Sequence, residues 1–168
     1  VPDTYLAVTT NMTPADVELK ADILHWSTEA ERADVVAALR SDEPSAALRE
    51  LPSMGAIWRS NSSVGNSIKY AHRAETPDGV TTVTLVTDKP IGYSNFRPWQ
   101  AEPSAAAEPL DYSVITLTID EGDQGTGMLS LAATVTIDDE SNLVSLDADV
   151  REPLLTNVRL APKPYWLQ

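Results

Sequence analysis

The chain has 168 residues, with 12 Lys and Arg against 25 Asp and Glu, a net charge of −13, two histidines and no cysteine. That length suits one β-rich domain over 1–168 whose core folds without staples, and the missing cysteines exclude disulfides, thiolate metal sites and thiol nucleophiles. The charge excludes the cationic surface that nucleic acid or an anionic bilayer needs, and no run reaches the ~18 apolar residues of a spanning helix, so neither nucleic-acid binding nor membrane insertion is expected. The start at Val1 in place of methionine suits either a processed mature form or a trimmed chain, and the first reading predicts a secreted or periplasmic protein.

A first short strand is predicted over 4–10, ended by Pro14, which cannot donate to a ladder. Over 17–26 the apolar residues Val17, Leu19, Ala21 and Ile23 alternate with Glu18, Lys20 and Asp22, which predicts a second strand with His25 on the apolar parity and Trp26 on the other. Leu24 breaks the alternation and predicts an end covered on both faces. Thr28 with Glu31 three residues later has the form of a capping box, and Ala30, Ala33, Val36, Ala37 and Leu39 recur at helical spacing, so a helix is expected over 29–40. Pro44 suits the first position of a shorter helix carrying Ala47, Leu48 and Leu51, stopped by Pro52. A short strand over 54–58 and a Ser/Asn/Gly loop over 60–66 follow.

The clearest signal is Thr76-Pro77-Asp78-Gly79, which joins two alternating runs into a hairpin over 67–87. Simple alternation places Ile68, Tyr70 and His72 on one face and Lys69, Ala71 and Arg73 on the other, with one face apolar and the other polar. Residues 89–110 hold prolines at 90, 98, 103 and 109 and read as a long irregular loop, the kind of segment that is often functional. Alternation returns over 113–119, turns at 120–125, and continues over 128–137 with Leu129, Leu131, Ala133, Val135 and Ile137 on one parity, which predicts a second long hairpin. A turn over 138–142 leads into a strand over 143–146, and a last strand is expected over 154–160. About eight strands with two short helices in the N-terminal third, and no βαβ alternation, predict an antiparallel β-sandwich or partly closed β-barrel.

Residues 101–152 carry twelve carboxylates and one base, Arg151, whereas 66–100 carry four bases against three acids. The central hairpin is thus a nearly neutral island. Asp120, Glu121 and Asp123 with Gly122 and Gly125 offer oxygen ligands, yet Leu131 stands where a calcium loop needs glutamate, so a solvated turn is expected and no metal. The glycines at 122, 125 and 127 lie in a hairpin tip among carboxylates and suit no phosphate, and no nucleophile elbow surrounds Ser63. The sequons at Asn11 and Asn61 matter only where the source glycosylates.

These patterns predict no cofactor and assign no catalytic residue. The expected function is that of a non-enzymatic binding domain for a small ligand or protein partner, monomeric or homodimeric. Its contacts would be Tyr70, His72, Tyr93, Arg97 and Trp99, grouped around the Pro/Gly/aromatic loop beside the least acidic hairpin. The alternative is a small-barrel enzyme, an isomerase, cyclase or hydrolase, using His72 or His25 as general acid and base.

Overall fold

The structure is a computed structural model that describes residues 3–10, 12–13, 15–59, 65–91, 93–94, 97–98, 100–101, 111–120, 125–130, 133–138, 140–147 and 152–161, with the backbone alone at 12–13, 93–94, 97–98 and 100–101. In chain order the elements are β1 (Asp3–Thr9), β2 (Met12–Thr13), β3 (Glu18–Ile23), α1 (Glu29–Leu39), α2 (Pro44–Arg49), β4 (Gly55–Arg59), β5 (Asn66–Glu75) and β6 (Thr81–Thr87). They continue with β7 (Tyr93–Ser94), β8 (Arg97–Pro98), β9 (Gln100–Ala101), β10 (Ser113–Ile119), β11 (Gly125–Leu129), β12 (Thr134–Asp138), β13 (Leu143–Asp147) and β14 (Leu155–Leu160).

Eight of these strands close into a barrel in the circular order β1, β3, β4, β5, β6, β10, β11, β14 and back to β1. Every neighbouring pair is antiparallel, so the wall is an up-and-down meander with excursions. Closure removes the open edges that a sandwich would leave. The inside is apolar and includes Tyr5, Leu19, Ile23, Ile57, Ile68, Leu85, Ile115, Leu129, Leu155 and Val158, all buried. Full burial of each such aliphatic chain contributes roughly 1.5–3 kcal/mol, which makes this interior the main stabilising element.

A second apolar layer lies outside the wall. Val35, Val36, Leu39 and Leu48 of the two helices meet Tyr70, Val86 and Val114 of the barrel and Val144 of β13. The first helix begins as predicted: Thr28 accepts from the Glu31 amide at 3.2 Å while Glu31 accepts from the Thr28 amide at 2.8 Å. Pro44 opens the second, also as predicted.

Several expectations are corrected. The hairpin over β5 and β6 forms with its turn at Thr76–Gly79, where Gly79 has φ +85°, but its alternation is broken. Ile68 pairs with Thr87 while Tyr70 pairs with the next residue, Val86, leaving Lys69 as an extra residue. This β-bulge flips the facing, so Ile68 and Ala71 point into the barrel, and Tyr70, His72 and Val86 point out beneath the helices. Both faces are therefore covered along much of the hairpin. Lys69 is itself buried, its ammonium donating to the Leu51 carbonyl at 2.7 Å just past the C-terminus of α2.

The run over 128–137 is not one strand. β11 stops at Leu129, Ser130 closes against Val114 through both its amide and its hydroxyl, and β12 leaves the barrel to pair with β13 against the outer wall. The parity persisted because both locations bury alternate residues. Leu24, expected to be covered, is 72% exposed. β3 ends at Ile23 and the chain swings across the gap above β4, where Ser27 donates its amide to the Ala71 carbonyl and accepts the Ala71 amide on its hydroxyl at 3.0 Å. That single serine extends the wall beside β5.

Gly55 is needed at the β3–β4 seam: it has φ +149°, and a Cβ there would lie 2.0 Å from the Asp22 carbonyl oxygen. β14 also carries a bulge, since Leu6 pairs with Arg159 and Val8 with Thr156, and Asn157 within it takes φ +55°. Within 89–110, the backbone shows two short pairings, β7 with β8 and β9 with β2.

Candidate functional site

The sequence-predicted contact set falls in three places. Tyr70 is fully buried, and its hydroxyl accepts the Val144 amide at 3.1 Å, which ties the β12–β13 hairpin to the barrel. Burial pushes its phenol pKa up, opposed by the bond from Val144. His72 lies beside it, ring centroids 6.5 Å apart, on the half-buried outer face under α1. Tyr93 and Arg97 are brought near each other by the β7–β8 pairing, in which Tyr93 faces Pro98 and Ser94 faces Arg97. Trp99 lies outside the described residues. The structure therefore joins Tyr70 to His72 and Tyr93 to Arg97, while the first pair belongs to the outer wall and serves the packing there.

Neither histidine sits inside the barrel with a carboxylate. Burial, and then the nearby Arg32 guanidinium, hold the His72 pKa below the ordinary imidazole value. His25 is exposed and its Nε2 lies 2.7 Å from Glu31 Oε1, the same carboxylate that closes the capping box. The Thr28 amide, and then His25, lower the Glu31 pKa. That pair pins the entry of α1 at the surface.

A different cluster stands out at the barrel end where β1 starts and β3, β5 and β14 finish. Asp3 and Tyr5 point inward from β1, Arg73 from β5, and Trp26 follows the end of β3. The Trp26 indole donates to Asp3 Oδ2 at 3.1 Å, the Arg73 guanidinium carbon sits 4.9 Å from the Trp26 ring centroid, and the Tyr5 and Trp26 rings meet edge to face at 6.5 Å. Arg73 Nη1 is 3.9 Å from Asp3 Oδ2, an ion pair but too long for a hydrogen bond. Burial raises the Tyr5 pKa, partly offset by its hydrogen bond with Arg73. Leu160, across from Tyr5 on the same face, is 50% exposed at this rim.

Chemically, the indole face holds the guanidinium by cation–π attraction, and Tyr5 occupies at most a fraction of its five N–H groups. The remaining donors suit a carboxylate, beside apolar surface from Leu160 and Trp26. The sequence pattern concealed this site because alternation put Arg73 on an outer face; only the extra residue at Lys69 turns it inward. Among the described residues no group of three or more His, Asp or Glu could hold a metal, and no helix is long and apolar enough to cross a membrane.

No family model matches the chain, and no curated protein and no solved structure is significantly similar to it. The class that the fold defines is a closed eight-stranded antiparallel barrel with two helices and a hairpin packed on its outer wall.

Proposed function

We propose that this barrel is a non-enzymatic binding module that takes a small ligand or a protein side chain bearing a carboxylate at the rim formed by Asp3, Tyr5, Trp26, Arg73 and Leu160. The observation that carries this is the Arg73 guanidinium, stacked on Trp26 and steadied by Tyr5, with donors unpaired among the described residues. Rigid stacking lowers the entropy lost when an anion binds, and the guanidinium donors left over from Tyr5 and from the 3.9 Å ion pair with Asp3 set the orientation of the bound carboxylate.

The test is a titration with acetate, hexanoate and benzoate followed by NMR at the Arg73 side chain and the Trp26 indole. Hexanoate and benzoate should bind more tightly than acetate, and Arg73→Ala should weaken both at least tenfold, with Arg73→Lys giving little recovery. Absence of shifts at Arg73 with all three carboxylates refutes the reading. A contact surface on the 89–109 segment is the second reading, supported by the pairing of β9 with β2 that anchors its backbone. It predicts instead that Arg97→Ala and Trp99→Ala abolish partner binding with little change in thermal midpoint. The enzymatic alternative, with His72 or His25 as acid and base, draws no support from their placements: one imidazole lies beside Tyr70 on the outer wall and the other is exposed, paired with the Glu31 carboxylate at the entry of α1.

A further inference from the structure

The barrel has no open edge, but the hairpin outside it has one. Among the described residues β12 pairs only with β13, and β13 turns its other side to the barrel, where the Val144 amide is taken by the Tyr70 hydroxyl. Because that amide points away from β12, the pair Ile137–Val144 is a non-hydrogen-bonded one, and by alternation so is Val135–Leu146. The amides and carbonyls of Val135 and Ile137 therefore point outward along β12, where no strand lies beside them among the described residues. Their side chains pack on the outer apolar layer, and Thr134, Thr136 and Asp138 are exposed on the opposite face.

We propose that the free edge of β12 accepts an extended partner segment as a third, antiparallel strand, and that this segment carries lysine or arginine at alternate positions. Charge identifies the occupant. Residues 133–147 contain Asp138, Asp139, Glu140 and Asp147 and no lysine or arginine, and Asp138 and Glu140 stand exposed at the tip of this hairpin. A second copy of the chain would bring two such acidic surfaces edge to edge, which like-charge repulsion opposes. Main-chain hydrogen bonds to Val135 and Ile137 supply the docking geometry, and alternate basic side chains facing the Thr134–Asp138 side supply selectivity.

The probes are two end-blocked decapeptides, (Lys-Thr)5 and (Glu-Thr)5, titrated into the full chain with amide hydrogen exchange read by NMR. The lysine peptide should slow exchange at Val135 and Ile137 at least tenfold at saturation, and the glutamate peptide should not. Val135→Pro removes one outward N–H and leaves the β12–β13 ladder intact, so it should weaken binding at least tenfold while Val144 stays protected. If that variant loses Val144 protection, the double charge reversal Asp138→Lys with Glu140→Lys decides instead, and it should weaken the lysine peptide at least tenfold. Equal response to both peptides, shifts confined to acidic side chains without slowed exchange, or a self-association abolished by Val135→Pro each overturn the proposal.

Discussion

Tyr70→Phe isolates one hydrogen bond on which the outer hairpin depends. The ring would keep its place among Val35, Val86 and Val144, so packing changes little, but the Val144 amide loses its acceptor. Both residues are shielded from solvent, Tyr70 at 0% and Val144 at 3% exposure, so water does not replace the hydroxyl. A buried donor left unsatisfied costs about 1–3 kcal/mol, and a central value of ~2 kcal/mol lowers the thermal midpoint of a chain this long by roughly 4–8 °C. Calorimetry gives the global figure, and amide exchange gives its location. Val144 and the β12–β13 ladder should exchange faster relative to β6 and β10, because the hairpin opens locally before the barrel does. A midpoint within about 1 °C of wild type, with Val144 as protected as before, refutes the claim that this hydroxyl holds the hairpin.

Gly55→Ala should destabilise by at least ~2–4 kcal/mol, since the new Cβ meets the Asp22 carbonyl and φ +149° strains any L side chain; a denaturant midpoint equal to wild type contradicts it. His72 gives a pH signature. Its folded pKa lies below the unfolded value, so the unfolded chain takes up the proton first, and the His72 contribution is present above about pH 6.5 and lost as pH falls below it. The groups facing it are Arg32 on α1, Tyr70 on its own strand and Thr84 across the ladder on β6. Stability should fall between pH 7 and 5 more steeply in wild type than in His72→Gln, and parallel profiles exclude His72 as a source of the slope.

Local signals were legible where they were strong and short-range. The capping box at Thr28 and Glu31, proline at the start of α2, and the Thr76–Gly79 turn each act within a few residues, and each appears in the structure. The inward residues of β10, Ile115, Leu117 and Ile119, also followed from alternation, because that strand is regular. What was hidden depends on partners distant in sequence. The excursion of β12 preserves the period of β11, so parity could not reveal that the chain had left the wall. The rim cluster draws Asp3, Trp26 and Arg73 together through barrel closure and a bulge, neither of which leaves a local pattern. The contact set around 89–109 rests on composition, and composition does not show that the Tyr70 hydroxyl is occupied by the Val144 amide.

The bulge at Lys69 offers the sharpest separation between facing and contact. β5 and β14, the two bulged strands, stand opposite each other in the ring of eight, each supplying extra local twist to the wall. Deleting Lys69 leaves Ile68 opposite Thr87 and Tyr70 opposite Val86, so Ile68 still points in and Tyr70 still points out. What is lost is the buried ammonium on the Leu51 carbonyl, together with local slack where Ser27 and Met54 flank Ala71 and Ile68. The cost should be a few kcal/mol, about that of one charged hydrogen bond plus strain, and the variant should still fold. Deleting Thr116 from regular β10 removes one residue as well, but there either half of the strand must turn its apolar side chains outward. Circular dichroism and a cooperative denaturant transition should survive the first deletion and vanish with the second; equal collapse of both shows that the wall is set by specific contacts and not by which way its residues face.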